Sequence, residues 1–171
     1  MELKVKPIAL NSVAAALSKA ERYRYLNQPE EAESICQDIL AVEPANQQAV
    51  RLCGLTITDQ FTGESGDRYA EAEKLFLSLA DAYERAYYEG VLLERRAKMQ
   101  LRAGYSTHII RPVFEHAMRC FEAAQKIKPE GNDDSILRWN RCVRLLQNLP
   151  LDKWEEEGEG FDAGDSAPHR Q

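Results

Sequence analysis

The sequence predicts an all-α protein made of stacked helical hairpins with a capping helix at the C-terminal end. Three observations carry that reading. Apolar residues recur at i, i+3 and i+4 over most of residues 13–148, the spacing that lines one face of a helix. No alternating apolar–polar stretch of useful strand length appears. The run 29–44 has a near-copy at 115–129, and both end on a proline, which disfavours helical geometry at the residue before it.

The elements follow in order. Residues 14–17, Ala20, Tyr23 and Leu26 form a first stripe that ends near Asn27. Pro29 suits a first helical position, where its missing N–H is not needed. Glu30 and Glu31 then lie in the turn where the helix dipole favours negative charge. Ala32, Ile35, Cys36, Ile39 and Leu40 make the second stripe, and Pro44 closes it. Val50, Leu52, Cys53, Gly54, Leu55 and Ile57 mark a third helix, broken by the two glycines of residues 61–67. Asp67 is the expected N-cap of a fourth helix, 68 to about 80, with Tyr69, Ala72, Leu75, Phe76 and Leu79 inward. Helical character continues from Asp81 to Ala103, and residues 104–107 stop and restart it. Pro112 is placed in the first turn of the next helix or just ahead of it, and that helix runs to about Lys128. A last helix, 135 to about 148, holds Ile136, Leu137, Trp139, Val143 and Leu146.

At 171 residues one domain is expected, large enough to bury a core. There is no apolar run near the length of a membrane span and no signal-peptide pattern at the start, so the expectation is a cytoplasmic protein. Cys36, Cys53, Cys120 and Cys142 show no C-x-x-C pair. Each sits in a helical apolar pattern, so they read as buried free thiols in a reducing compartment. The net charge of −6 is uneven. Residues 151–171 carry seven acids against Lys153 and Arg170, leaving 21 acids and 20 bases for residues 1–150. The chain therefore divides into a balanced helical domain, 1–149, and an acidic tail, 150–171. Residues 155–171 have too few apolar groups to offset the entropy of ordering and are expected to be disordered. Leu151 and Trp154 offer a last docking point.

The units 13–46, 47–81 and 82–130, with a cap at 135–148, resemble the tetratricopeptide repeat, a ~34-residue helix–turn–helix. Ala20, Tyr23 and Ala32 stand at the family's small and bulky positions, and residues 39–46 resemble its closing phrase. Val50, Cys53, Gly54 and Ile57 begin the second unit, which resumes with Tyr69, Ala72 and Phe76 after an inserted loop. The third unit departs most, with a long first helix carrying Ala86, Gly90, Leu93 and Ala97, and returns to form at Ala117, Phe121, Ala124 and Pro129. Trp139 replaces a small residue unless the preceding turn is one residue longer than usual, a shift that puts Ile136 and Trp139 on the core side. The resemblance implies a right-handed superhelix whose concave face binds a peptide or partner helix. It places Leu17, Glu21, Arg24 and Tyr25, then Gln48, Arg51, Leu55 and Asp59, on that face. The Lys/Asn clamp for chaperone C-termini is absent, since Leu17, Glu21 and Leu52 occupy the matching positions.

No G-x-S-x-G, H-E-x-x-H, phosphate-binding loop or dinucleotide fingerprint occurs. The expectation is a non-enzymatic protein with no catalytic residue, cofactor or metal. His116 and Cys120 share a helix face, but two ligands are too few for a structural zinc site, so they read as partly buried beside Phe121. Arg95, Arg96, Lys98 and Arg102, with His108 and Arg111, form a basic cluster in which 95, 98 and 102 share a face. With Glu89 and Glu94 as local partners it reads as a solvated face. Its functional reading is a strip for an acidic peptide, or for RNA with Tyr87, Tyr88 and Tyr105 nearby. Residues 155–165 of the acidic tail would compete for that strip. Arg138, Arg141 and Arg144 drift around the last helix and read as solubilising. Self-association through Tyr83, Tyr87, Tyr88 and Val91 is the remaining alternative. A charge-balanced body ranks protein or peptide ahead of nucleic acid.

Overall fold

Each helix boundary follows from a local device. In the computed structural model, which describes residues 3–62 and 66–149, a 3-10 turn at Leu10–Ser12 leads into α1, Val13–Tyr25. Asn27 leaves α1 in the left-handed region at φ 57, and the Gln28 amide donates back to the Tyr23 carbonyl at 2.9 Å. Pro29 then occupies the first position of α2, Pro29–Val42. Asn46 caps α3, Gln47–Asp59, by accepting the Ala49 amide on its side-chain oxygen at 2.9 Å.

The next helix corrects the expected boundary. α4 spans Gly66–Leu77, so Asp67 lies within its first turn and is not its cap. It ends three residues earlier than expected because the Ser78 amide turns back onto the Lys74 and Leu75 carbonyls at 3.2 and 3.1 Å. Asp81 then caps α5, Ala82–Arg102, accepting the Glu84 amide at 2.8 Å. Gly104 takes φ 79 at the turn into α6, Thr107–Lys126. Pro112 is inside α6, a turn later than expected, where a proline removes one backbone bond of the ladder. Gly131 (φ 76) precedes α7, Asp134–Gln147.

Among the described residues the chain is all-helical, and helices consecutive in sequence pack together. The odd helices also touch one another, α1 with α3 and α5 with α7, so they form one layer with α2, α4 and α6 behind. No helix among the described residues is long and apolar enough to cross a membrane.

Two apolar clusters fill the space between the layers. The first gathers Ala20, Ala32, Cys36, Cys53, Ile57, Ala72 and Phe76; the second gathers Val91, Ala97, Ile110, Phe114, Ala117, Phe121 and Cys142. Leu55 and Tyr88 pack against both and make the core continuous. A small satellite of Val13, Ile39 and Ala49 takes in Ile8 from the N-terminal arm.

The small and bulky positions interlock in a regular way. A methyl group placed on Gly54 would lie 2.5 Å from the Phe76 ring, and one on Gly90 would lie 2.6 Å from the Phe121 ring. Each glycine is therefore the socket for a ring from the following helix, and any side chain there would displace it. In the first hairpin the positions matching glycine and phenylalanine hold Ala20 and Cys36, both fully buried. A smaller knob goes with a smaller socket.

In the cap, Trp139 packs against the second cluster, on the side its shifted register predicts. Ile136 is half-buried, while Leu137 is 64% exposed. Residues 63–65 and 150–171, including the acidic tail and the expected Leu151–Trp154 docking point, lie outside the described residues.

Candidate interaction face on the odd-numbered helices

The residues that the sequence assigns to partner binding do come together, in two adjacent depressions on the layer of odd helices. Glu21, Arg24 and Tyr25 of α1 and Gln48, Arg51 and Leu55 of α3 line the first, a hollow of about 110 Å³. Asp59 of α3 and Arg95, Lys98 and Arg102 of α5 line the second, of about 270 Å³, together with Phe61, Met99 and Arg138. Leu17 lines neither; it packs against the Val13–Ile39 satellite.

Many of the charged members are also ties between helices. Arg24 Nε donates to Asp59 Oδ2 at 2.5 Å, which joins α1 to α3. Asp59 accepts as well from Arg95, whose guanidinium donates to the Thr58 hydroxyl at 2.6 Å and the Leu55 carbonyl at 3.3 Å. Asp59 is thus the shared anion of a three-helix chain running α1–α3–α5. Arg51 pairs with Glu84 in the same direction. Burial pulls the Arg95 guanidinium below its ordinary value, and Asp59 opposes that pull. The expected solvated strip is corrected at this point: Arg95 is a half-buried cross-link, held there because α3 presents three oxygens to it.

Two cations lining the second depression, Lys98 and Arg138, pair with an anion that the sequence marked only as a local partner, Glu94. Glu94 is fully buried and accepts from Lys98 and from Arg138 Nη1 at 3.1 Å. Arg138 also donates to the Tyr87 hydroxyl at 3.4 Å. Desolvation works against its charge, but Glu94 and Tyr87 outweigh it and hold Arg138 above its ordinary value. Its expected solubilising role is corrected likewise, whereas Arg141 and Arg144 are exposed. Arg102 is exposed on the rim and forms no ion pair among the described residues. Four cations thus face two carboxylates, Asp59 and Glu94, before Arg24 is added.

The aromatic residues named for the alternative readings point elsewhere. Val91 is fully buried and Tyr83 is 8% exposed, so the expected self-association surface is interior. The reason is that α5 packs against both α6 and α7. Tyr88 stacks on Phe76 at 5.2 Å between centroids, and Tyr87 packs edge-on to Tyr88 and against Tyr83 and Phe121. Tyr88, pushed up to about 12 by burial, is a core residue and no stacking platform for bases. Tyr105 and Tyr25 are exposed.

Set beside protein-family models, curated proteins and solved structures, the chain matches none of them.

Proposed function

We propose that this protein is a non-enzymatic interaction module of tetratricopeptide-like build that binds an acidic peptide or partner helix across its odd-numbered helices. The observation that carries the reading is the 270 Å³ depression with its surplus of positive charge. An internal network built for stability alone would pair its cations with carboxylates. This one leaves Arg102 without an ion-pair partner among the described residues and divides Glu94 between Lys98 and Arg138. An acidic side chain seated there would complete the charge balance in a partly desolvated site, where ionic hydrogen bonds are stronger than in water. The neighbouring hollow, with Tyr25 and Leu55 beside Arg51, supplies apolar and polar contacts for the flanking residues. Helices already tied by Asp59 and Glu84 lose little freedom on binding.

The test separates binding from packing. Arg24 and Arg51 are inter-helix ties, so their replacement would disturb both. Arg102→Ala is the clean variant. Immobilised synthetic peptides of acidic, neutral and basic composition are probed with the full chain, with a single-stranded oligonucleotide in parallel. The expected result is preferential retention on acidic peptides, weakened about tenfold by Arg102→Ala, with the urea midpoint unchanged. Equal retention on all three peptide classes would remove the reading. Tighter binding to the oligonucleotide, with a steep loss in salt, would replace it with an RNA-binding one.

A further inference from the structure

On the other side of α5 the chain brings three metal-ligating side chains together. Glu89 of α5 and His116 and Cys120 of α6 place their ligand atoms within 4.8 Å of one another. Glu89 and Lys98 stand about two and a half helical turns apart, so this cluster faces away from the cationic depression.

Its origin is the close approach of α5 and α6 at Gly90. Because Gly90 has no side chain, the Phe121 ring rests on the α5 backbone and fixes the register of α5 against α6. The residue before the glycine then meets the residue before the phenylalanine, and His116 lies one turn earlier on the same face of α6. From sequence only His116 and Cys120 are visible as a pair; Glu89 joins them through that register alone.

The side chains are also uncommitted. Arg85, one turn before Glu89, spends its guanidinium on the Leu79 and Ala80 carbonyls at 2.7 and 2.8 Å. Neither Glu89 nor His116 forms an ion pair among the described residues, and both are exposed. Cys120 is 8% exposed, enough for its sulfur to face the other two from the edge of the core.

We propose that Glu89, His116 and Cys120 form a binding site for one borderline-soft divalent cation of the zinc class, with a fourth position open to water or an outside ligand. A thiolate, an imidazole and a carboxylate are the donors that zinc takes, and hard cations such as magnesium and calcium call for oxygen alone. Tetrahedral bonds of 2.0–2.3 Å put ligand atoms about 3.5 Å apart, and rotation of the exposed Glu89 and His116 side chains closes the remaining gap. On binding, the Cys120 sulfur–metal bond forms as the S–H proton passes to solvent; nothing is oxidised or reduced. Three protein ligands on two rigid helices resemble an open site more than a closed structural one. The site is independent of the peptide-binding reading and stands or falls without it.

Cobalt(II) added to the freshly reduced full-length chain supplies the test. One equivalent should give a thiolate-to-cobalt charge-transfer band with intense d–d bands of a four-coordinate ion, and zinc should displace it. Cys120→Ala should abolish the charge-transfer band. Glu89→Gln and His116→Ala should each weaken cobalt affinity by at least about tenfold, with helicity by circular dichroism unchanged. No charge-transfer band with the wild-type chain would overturn the proposal, as would a band that survives Cys120→Ala and so belongs to another cysteine. If Cys120→Ala loses helicity, the two exposed positions decide. Wild-type affinity in both Glu89→Gln and His116→Ala would equally overturn it.

Discussion

The α3–α4 pair and the α5–α6 pair close by the same device and carry different charge on the adjoining face. In each, a glycine on the first helix receives a phenylalanine ring from the second, Gly54 with Phe76 and Gly90 with Phe121. On the odd-helix side near α3, Arg24 and Arg51 each meet a carboxylate from a neighbouring helix, Asp59 and Glu84. Farther along α5, Arg95, Lys98 and Arg138 share Asp59 and Glu94, and Arg102 has neither. Packing repeats because any two helices that must approach closely need the same small-to-bulky fit. Charge is free to vary because a half-exposed ion pair contributes little to stability. Individual function is therefore to be sought where the charges stop matching.

The packing half of the comparison breaks most easily at the rings. Phe76→Ala and Phe121→Ala should each cost about 3–5 kcal/mol by urea denaturation, since both rings are fully buried. Gly54→Ala and Gly90→Ala should cost about 1–3 kcal/mol each by overpacking. Phe76→Leu should recover part of the Gly54→Ala loss and none of the Gly90→Ala loss, because coupling appears only between groups in contact. Additive behaviour within the Gly54–Phe76 pair would show that the close contact does not constrain the hairpin. The same logic extends to the first hairpin, where Cys36→Phe should be tolerated better in an Ala20→Gly background than alone.

The charge half is tested at Glu94. It is fully buried and holds two cations, so Glu94→Gln should cost about 1–3 kcal/mol through weakened ionic hydrogen bonds. Asp59→Asn, a quarter exposed, should cost about 1 kcal/mol or less. The same Glu94→Gln change raises the positive charge of the depression and should tighten retention on acidic peptides. A less stable protein that binds acidic peptides more strongly would separate the two roles; unchanged retention would argue that the depression is only a structural network.

The two halves differ in how far they can be read from sequence. Pro29, Pro44 and the Gly54 and Gly90 sockets were legible because their causes are local or repeat with the hairpin. The side on which Trp139 packs was legible too, once one residue was allowed for the preceding turn. Arg138 and Asp59 were not assigned their roles, and Glu94 was seen only as a local partner of the basic cluster, because their cross-helix partners lie 35 to 44 positions away and depend on helix–helix register. The same register brought Glu89 to His116 and Cys120. Tyr83 and Val91 were misplaced on the surface because the periodicity of α5 marks an apolar face without saying how many helices cover it.

The thiols extend the comparison into the cores and give the smallest expected effect. In the first core Cys36 lies against Cys53, and that contact together with burial pushes Cys36 above the usual thiol range. In the second, Cys142 is pushed up to about 12 from the usual 9.0, chiefly by burial and then by Glu94, with Lys98, Arg138 and Arg141 opposing. A thiol raised on folding stays protonated while its unfolded counterpart ionises. The stability it contributes is thus complete below about pH 9 and is lost as pH rises toward 12. Urea midpoints measured with chelator present at pH 7, 9 and 10 should fall at the alkaline end, and more steeply in the wild type than in Cys142→Ala. The slope is the quantity to compare, since Cys142→Ala also removes buried volume at every pH. Parallel slopes would mean that the alkaline loss arises from groups other than Cys142, such as Tyr88, whose hydroxyl is likewise pushed up to about 12 by burial.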